Sequence, residues 1–253
     1  MPPLFVDGVE IKSVFVDGVE QDSVFADGVE VFSVVAGEDY IDDFLRDPNG
    51  TLITDHLMNT GQSWDTFAGV PTQPVIGNAV QAGSGNQSAI VAAVGENTAF
   101  NMIPLVSLFN QSFVSEANFS WEPFAGTLFV LIVQISIADS PDTYVQISGG
   151  LGSYSWAMTV NDVAIAEGSF SNQDQSAVKM TMFYDGTDMA AEFILQPSGE
   201  RIVVPQQTVP ASTGTERRYY PTTVLPIGGA ATAISMYDVI ETAVSSASMP
   251  WPV

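Results

Sequence analysis

By its ordinary pKa, one side chain in this sequence can exchange a proton near neutral pH: His56, in the stretch Thr54-Asp55-His56-Leu57. With no cysteine in the chain and no second histidine, neither a thiolate metal site nor a typical zinc site can be assembled around it. Asp55 and His56 could in principle activate a hydroxyl such as that of Ser63. The Gly-x-Ser-x-Gly elbow that presents such a serine is absent, however, and His56 reads as a hydrogen-bonded loop residue. Glycoside hydrolysis needs two carboxyl groups facing one bond. No Glu-x-Asp-x-Glu strand occurs, and Asp42 and Asp43, being adjacent, point to opposite sides of an extended chain. Gly149-Gly150-Leu151-Gly152 and Gly228-Gly229 lack the lysine of a phosphate-binding loop. The expectation is a protein that is not an enzyme, with no cofactor, no metal and no catalytic residue.

Chemistry without catalysis remains. Trp64, Asp65, Tyr154 and Trp156 combine aromatic faces with a hydrogen-bonding acid and are candidate glycan contacts, although burial in a core is the ordinary fate of tryptophan. Glu216-Arg217-Arg218-Tyr219-Tyr220 sets two of only six basic residues beside aromatics, a composition suited to a partner contact. The tail Met249-Pro250-Trp251-Pro252-Val253 is apolar, so Trp251 is expected either to tuck onto its own domain or to clamp a neighbour.

Charge narrows the partners. Asp and Glu number 29 against 6 Lys and Arg, a formal charge of -23, and such a surface repels phosphate backbones and anionic membranes. Neither nucleic acid nor membrane is expected as a partner. The start, Met1-Pro2-Pro3-Leu4, lacks the basic and apolar run of a signal peptide. The apolar stretch 128–137 is interrupted by Gln134 and Ser136 and is too short to span a bilayer, so the sequence reads as that of a soluble protein.

The elements that must position these residues are strands. Phe5-Val6-Asp7-Gly8-Val9-Glu10 recurs as Phe15-Val16-Asp17-Gly18-Val19-Glu20 and as Phe25-Ala26-Asp27-Gly28-Val29-Glu30, a period of ten. Asp-Gly between β-formers predicts a type I′ hairpin in each repeat, with Val16 opposite Val19 and Phe15 opposite Glu20. Hairpins this small are marginal alone, which predicts an arm, residues 1–36, that orders by docking through Phe5, Val6, Phe15, Val16, Phe25 and Val29. The repeated acids lack the dense oxygen ligation of a calcium loop, and the turn already explains the aspartates. From residue 37 to 253 there is no long amphipathic helix. Short β-branched and aromatic runs recur instead: 89–94, 113–121, 127–138, 143–147, 154–160, 177–184, 190–195 and 233–243. Asp185-Gly186 supplies another hairpin turn, and Phe129, Ile132, Ile135, Met180, Phe193, Trp64 and Trp121 are expected core residues.

Tyr40-Ile41-Asp42-Asp43-Phe44-Leu45-Arg46, followed by Asp47-Pro48-Asn49-Gly50-Thr51-Leu52 and Gly61-Gln62-Ser63-Trp64, resembles the opening of concanavalin-A-like (laminin-G-like) jelly-roll domains of phage structural proteins. Ile234-Ser235-Met236-Tyr237-Asp238-Val239-Ile240 is similar to the closing strand of such domains, which lies beside the first. The Val-Asp-Gly-Val-Glu repeat looks like short repeats of phage virion proteins. The resemblance implies an all-β fold, an antiparallel jelly-roll β-sandwich preceded by a short hairpin arm. It further implies a virion protein assembled in the bacterial host cytoplasm, a capsid decoration, cement or head-fibre component that contacts phage capsid or tail proteins. The arm and the fold predict a homo-oligomer, with a trimer favoured. Arg217, Arg218 and Trp251 would join the arm in those contacts. The alternative is a tail-associated adhesin whose sandwich binds host surface glycans.

Overall fold

The computed structural model describes residues 39–66, 75–78, 87–92, 98–99, 102–104, 112–121, 130–138, 142–150, 153–170, 176–212, 216–224 and 233–253, and before them the paired strands of the repeats. Six short strands belong to those repeats: β1 (Phe5–Val6), β2 (Val9–Glu10), β3 (Val14–Val16), β4 (Val19–Gln21), β5 (Ser23–Ala26) and β6 (Val29–Ser33). They pair in sequence as three separate antiparallel hairpins. Phe5 opposes Glu10, Phe15 opposes Glu20, Phe25 opposes Glu30, and Val16 opposes Val19, the register that Asp-Gly turns impose. The side chains of these residues, including the expected contacts Phe5, Val6, Phe15, Val16, Phe25 and Val29, lie outside what is described.

The rest of the chain forms β7 (Tyr40–Asp42), β8 (Trp64–Thr66), β9 (Val75–Asn78), β10 (Gln87–Ala92), β11 (Thr98–Ala99), β12 (Met102–Pro104), β13 (Phe113–Trp121), β14 (Val130–Ala138), β15 (Thr143–Gly150), β16 (Ser153–Val160), β17 (Val163–Phe170), β18 (Ala177–Tyr184), β19 (Asp188–Gln196), β20 (Arg201–Thr208), β21 (Glu216–Val224) and β22 (Ala233–Ala243). All pairings are antiparallel. The back sheet runs β20-β19-β18-β13-β22-β10-β9, with β7 also on β22. The front sheet runs β17-β16-β15-β14-β21-β12-β8, with β11 also on β21. The closing strand therefore does lie beside the first, Ile240 opposite Ile41. Two turns of 3-10 helix, Ile53–Asp55 and Ser246–Ser248, are the helical elements among the described residues, and no helix is long and apolar enough to cross a membrane.

Period-two alternation puts one face of each sheet into a shared core. Val133, Ile135 and Ile137 of β14 meet Met180 and Met182 of β18 and Phe193 of β19, all essentially without solvent exposure. Trp64 and Trp121 are core residues, as expected. Ile132 is not: Val133 and Ile135 take the inward phase, so Ile132 turns out and is half-buried. Two polar links cross the apolar layer between β21 and the back sheet. Arg217 Nε lies 3.1 Å from Glu241 Oε2, with the guanidinium stacked 3.6 Å from the Phe113 ring centroid, and the Tyr219 hydroxyl meets Ser115 Oγ at 2.8 Å. Removing one member of such a buried pair is costly because it leaves its partner uncompensated.

Candidate glycan groove and the buried histidine network

The outward phase of the front sheet is polar where its inward phase is aliphatic. In β15, Val145 and Ile147 are fully buried while Tyr144, Gln146 and Ser148 are half-exposed. In β16, Tyr154 and Met158 point in and Ser155 and Ala157 point out. Cross-strand pairing lines these residues up. One row runs Arg218, Ser136, Tyr144, Thr159 across β21, β14, β15 and β16; the next runs Tyr220, Gln134, Gln146, Ala157, Glu167 and reaches β17. Over β15, β16 and β17 this face sinks into an open groove of about 570 Å3, lined by Tyr144, Gln146, Ser155, Thr159, Asp162 and Glu167 around Ala157.

Local sequence explains the groove's shape. Asn161 and Asp162 both have positive φ, 49° and 61°, which closes the β16–β17 hairpin as a tight two-residue turn and brings the Asp162 carboxylate toward Tyr144. Tyr144 is within hydrogen-bonding reach of Thr159 and Asp162. Its burial, together with the charges of Asp162 and Asp142, pushes its pKa above the usual tyrosine value, although the Thr159 bond works the other way. The phenol therefore stays a neutral hydroxyl able to donate and accept. On the opposite face, glycine makes room for two large rings. A Cβ on Gly168 would lie 2.6 Å from the indole of Trp156, its cross-strand partner, and one on Gly149 would lie 2.1 Å from the Tyr154 ring.

Several expected contact residues stand elsewhere. Trp64 is fully buried and donates its indole N–H to Asp42, and Tyr154 is buried with its ring stacked on Phe170. Neither presents a face to a ligand, because each sits in the inward phase of its strand. Trp156 borders the groove, but its indole packs against Phe193 of the back sheet. Asp65 is exposed on the front sheet at β8, the edge opposite the groove. Arg217 is buried against Glu241, so it makes no partner contact, whereas Arg218 does face outward on β21. Trp251 packs with Met249, Phe183, Ala190, Val114 and Val244 on its own domain, and Arg201 holds the tail through the Val253 carbonyl at 2.7 Å. The residues that do line the groove escaped a search that favoured aromatics. Their signal was the polar phase of Tyr144-Val145-Gln146-Ile147-Ser148.

A second polar cluster lies at the opening of the domain. His56 is fully buried, its Nε2 at 3.0 Å from both carboxylate oxygens of Asp42 and its Nδ1 at 2.7 Å from Asp47 Oδ2. Asp42 also accepts the Trp64 indole N–H and the Phe44 amide, the latter at 2.8 Å, and the Phe44 ring stacks between His56 and Trp64. Burial alone would lower the imidazole pKa. Hydrogen bonds and charges from Asp42 and Asp47 more than offset that, and the net shift is upward. His56 is thus a hydrogen-bonded structural residue, and its partners are Asp42 and Asp47, not the adjacent Asp55. Among the described residues no group of three or more His, Cys, Asp or Glu is arranged to hold a metal ion.

No family model and no curated protein matches the chain. Solved structures do. A protein of unknown function from Shewanella oneidensis MR-1 superposes with a TM-score of 0.52 at 12% identity, over 85% of this chain and 91% of that one. The transglycosylase Crh5 in its apo form gives 0.51 at 10% identity, over 84% and 87%. A lectin from Bauhinia forficata in complex with GalNAc gives 0.47 at 12% identity, over 82% and 99%. The strand order and the first two likenesses define the class of fold, an all-β jelly-roll sandwich of two antiparallel sheets.

Proposed function

We propose that this chain is a non-enzymatic carbohydrate-binding protein that takes a glycan in the groove on the outer face of its front sheet. One observation carries this reading: β15 alternates strictly, and cross-strand pairing continues its polar outward phase through β16 to Glu167 of β17, so hydroxyls, amides and carboxylates stand together on a sheet around Ala157. Sugars are recognised by such fields, which offer donors and acceptors at fixed spacing without needing a deep apolar pocket. Against catalysis, Glu167 has Ala157 as its cross-strand partner and Ile165 and Ser169 two residues away along β17, and the groove's other carboxylate, Asp162, stands apart at the hairpin turn. Ala157 points outward, and Ala157→Trp fills the groove without touching the core. The full-length chain should retain glycans on an array of host-surface oligosaccharides, and A157W should abolish that retention. Equal retention by both proteins would refute the groove as the site.

The repeats favour a second component. Three hairpins in one register, each too small to hold alone, suit an attachment element, and the resemblance to phage virion repeats makes the partner a phage capsid or tail protein. In this reading the chain is a virion structural protein, as a capsid decoration, cement or head fibre, or a tail-associated adhesin. The arm is the anchor, Arg218 is a neighbouring contact, the groove faces the host, and the assembly is a homo-oligomer with a trimer favoured.

A further inference from the structure

Resting on the groove as a glycan site, we propose that its charge sets the class of glycan: it prefers sugars bearing free amino groups, accepts uncharged ones and rejects uronic, sialylated or sulfated ones. Two carboxylates, Asp162 at the hairpin turn and Glu167 on the edge strand, line the groove, and both are exposed to whatever enters it. Among the described residues no cation lines it, and the chain has only six to offer. Lys179 and Arg201 belong to the back sheet, Arg46 to the loop after β7 and Lys12 to the repeats, while Arg217 is buried between the sheets. Arg218 already has a partner. It stands two strands from Tyr144, roughly 10 Å at sheet spacing, and does not line the groove. An anionic sugar in the groove would therefore meet like charge with no lining cation among the described residues to pair it, and an ammonium group would meet carboxylates of opposite charge.

The glycan's charge must be separated from the charge of the whole molecule, since a surface at -23 attracts any cation. Asp162→Asn with Glu167→Gln removes only two of 29 carboxylates, leaving the general field nearly unchanged while emptying the groove of charge. Asparagine tolerates the positive φ of residue 162, so the turn survives. Asp39→Asn with Glu200→Gln makes the same change at two exposed positions elsewhere. Binding of the full-length chain to three trisaccharides, tri-glucosamine, its N-acetylated form and tri-galacturonate, is measured calorimetrically at physiological ionic strength and mildly acidic pH. The proposal expects the amine to bind best and the uronate not at all. It also expects the groove variant to lose the preference for the amine over the acetylated form by about fivefold, the scale of two partly exposed ion pairs, read as the ratio of the two affinities, while the surface variant keeps the wild-type ratio. If the uronate binds as well as the acetylated sugar, or if the surface variant shifts the ranking as far as the groove variant does, the charge proposal is wrong and the glycan site stands. If none of the three binds, the carbohydrate reading fails and takes this inference with it.

Discussion

At the scale of single residues, Asp42 joins the opening strand to the loop that follows it. Its carboxylate takes the imidazole of His56, the indole of Trp64 and the amide of Phe44, and His56 passes the link on to Asp47. Removing the imidazole leaves a buried acid without its cation, so His56→Leu should destabilise the fold by about 3–5 kcal/mol, read as a fall in the urea midpoint. The upward shift of the His56 pKa fixes the sign of the pH dependence. The folded state holds the proton more tightly than the unfolded chain, whose histidine titrates near 6.5. The stabilisation is complete below that value and is lost as pH rises through the higher folded pKa. Urea midpoints should therefore decline across that interval in the wild type, and His56→Gln should remove the decline. A wild-type midpoint that rises across it would contradict the assigned charge state. The sequence showed this residue to be singular and read it as a hydrogen-bonded loop residue. It could not show its partners, because a contact between residues 42 and 56 is made by how a loop folds back, which spacing does not encode.

Strands were legible where side chains alternate cleanly or carry β-branched mass. Three stretches read from the sequence, 113–121, 177–184 and 233–243, coincide with β13, β18 and β22, and five others overlap β10, β14, β15, β16 and β19. Those that escaped have physical reasons. β17 is rich in alanine and glycine, and β20 contains Pro205, tolerable because β20 is an edge strand. β21 carries adjacent arginines and Pro221, which falls between the pairings of β12 at Tyr219 and β11 at Thr222. The candidate site was missed for a related reason. Aromatics drew the search to the inward phase, and their burial is supported by glycines on the facing strand. Gly168→Ala should displace Trp156 and cost about 1–3 kcal/mol by overpacking, measured by chemical denaturation. An unchanged midpoint would mean that the indole can move aside freely.

At the scale of the whole molecule, the sandwich and the repeats pose separate questions. The sandwich is self-sufficient in its core: the tail covers the outer face of the back sheet at Phe183 and Ala190, and buried polar links tie the sheets together. The repeats have paired strands but few residues per hairpin, and hairpins that small are marginal alone in water. On the proposed virion reading, deleting residues 1–36 should abolish rebinding to phage particles stripped of the protein while leaving glycan retention intact. Rebinding without the arm would place the contact surface on the sandwich. The central claim, that the outer face of the front sheet takes a glycan, is tested most directly by mapping amide chemical shifts of the isotope-labelled full-length chain as a bound oligosaccharide is titrated in. The account predicts saturating shifts confined to residues 144–148, 155–159 and 162–169, absent in A157W. Shifts centred on β8 or on the back sheet, or undiminished in A157W, would contradict it.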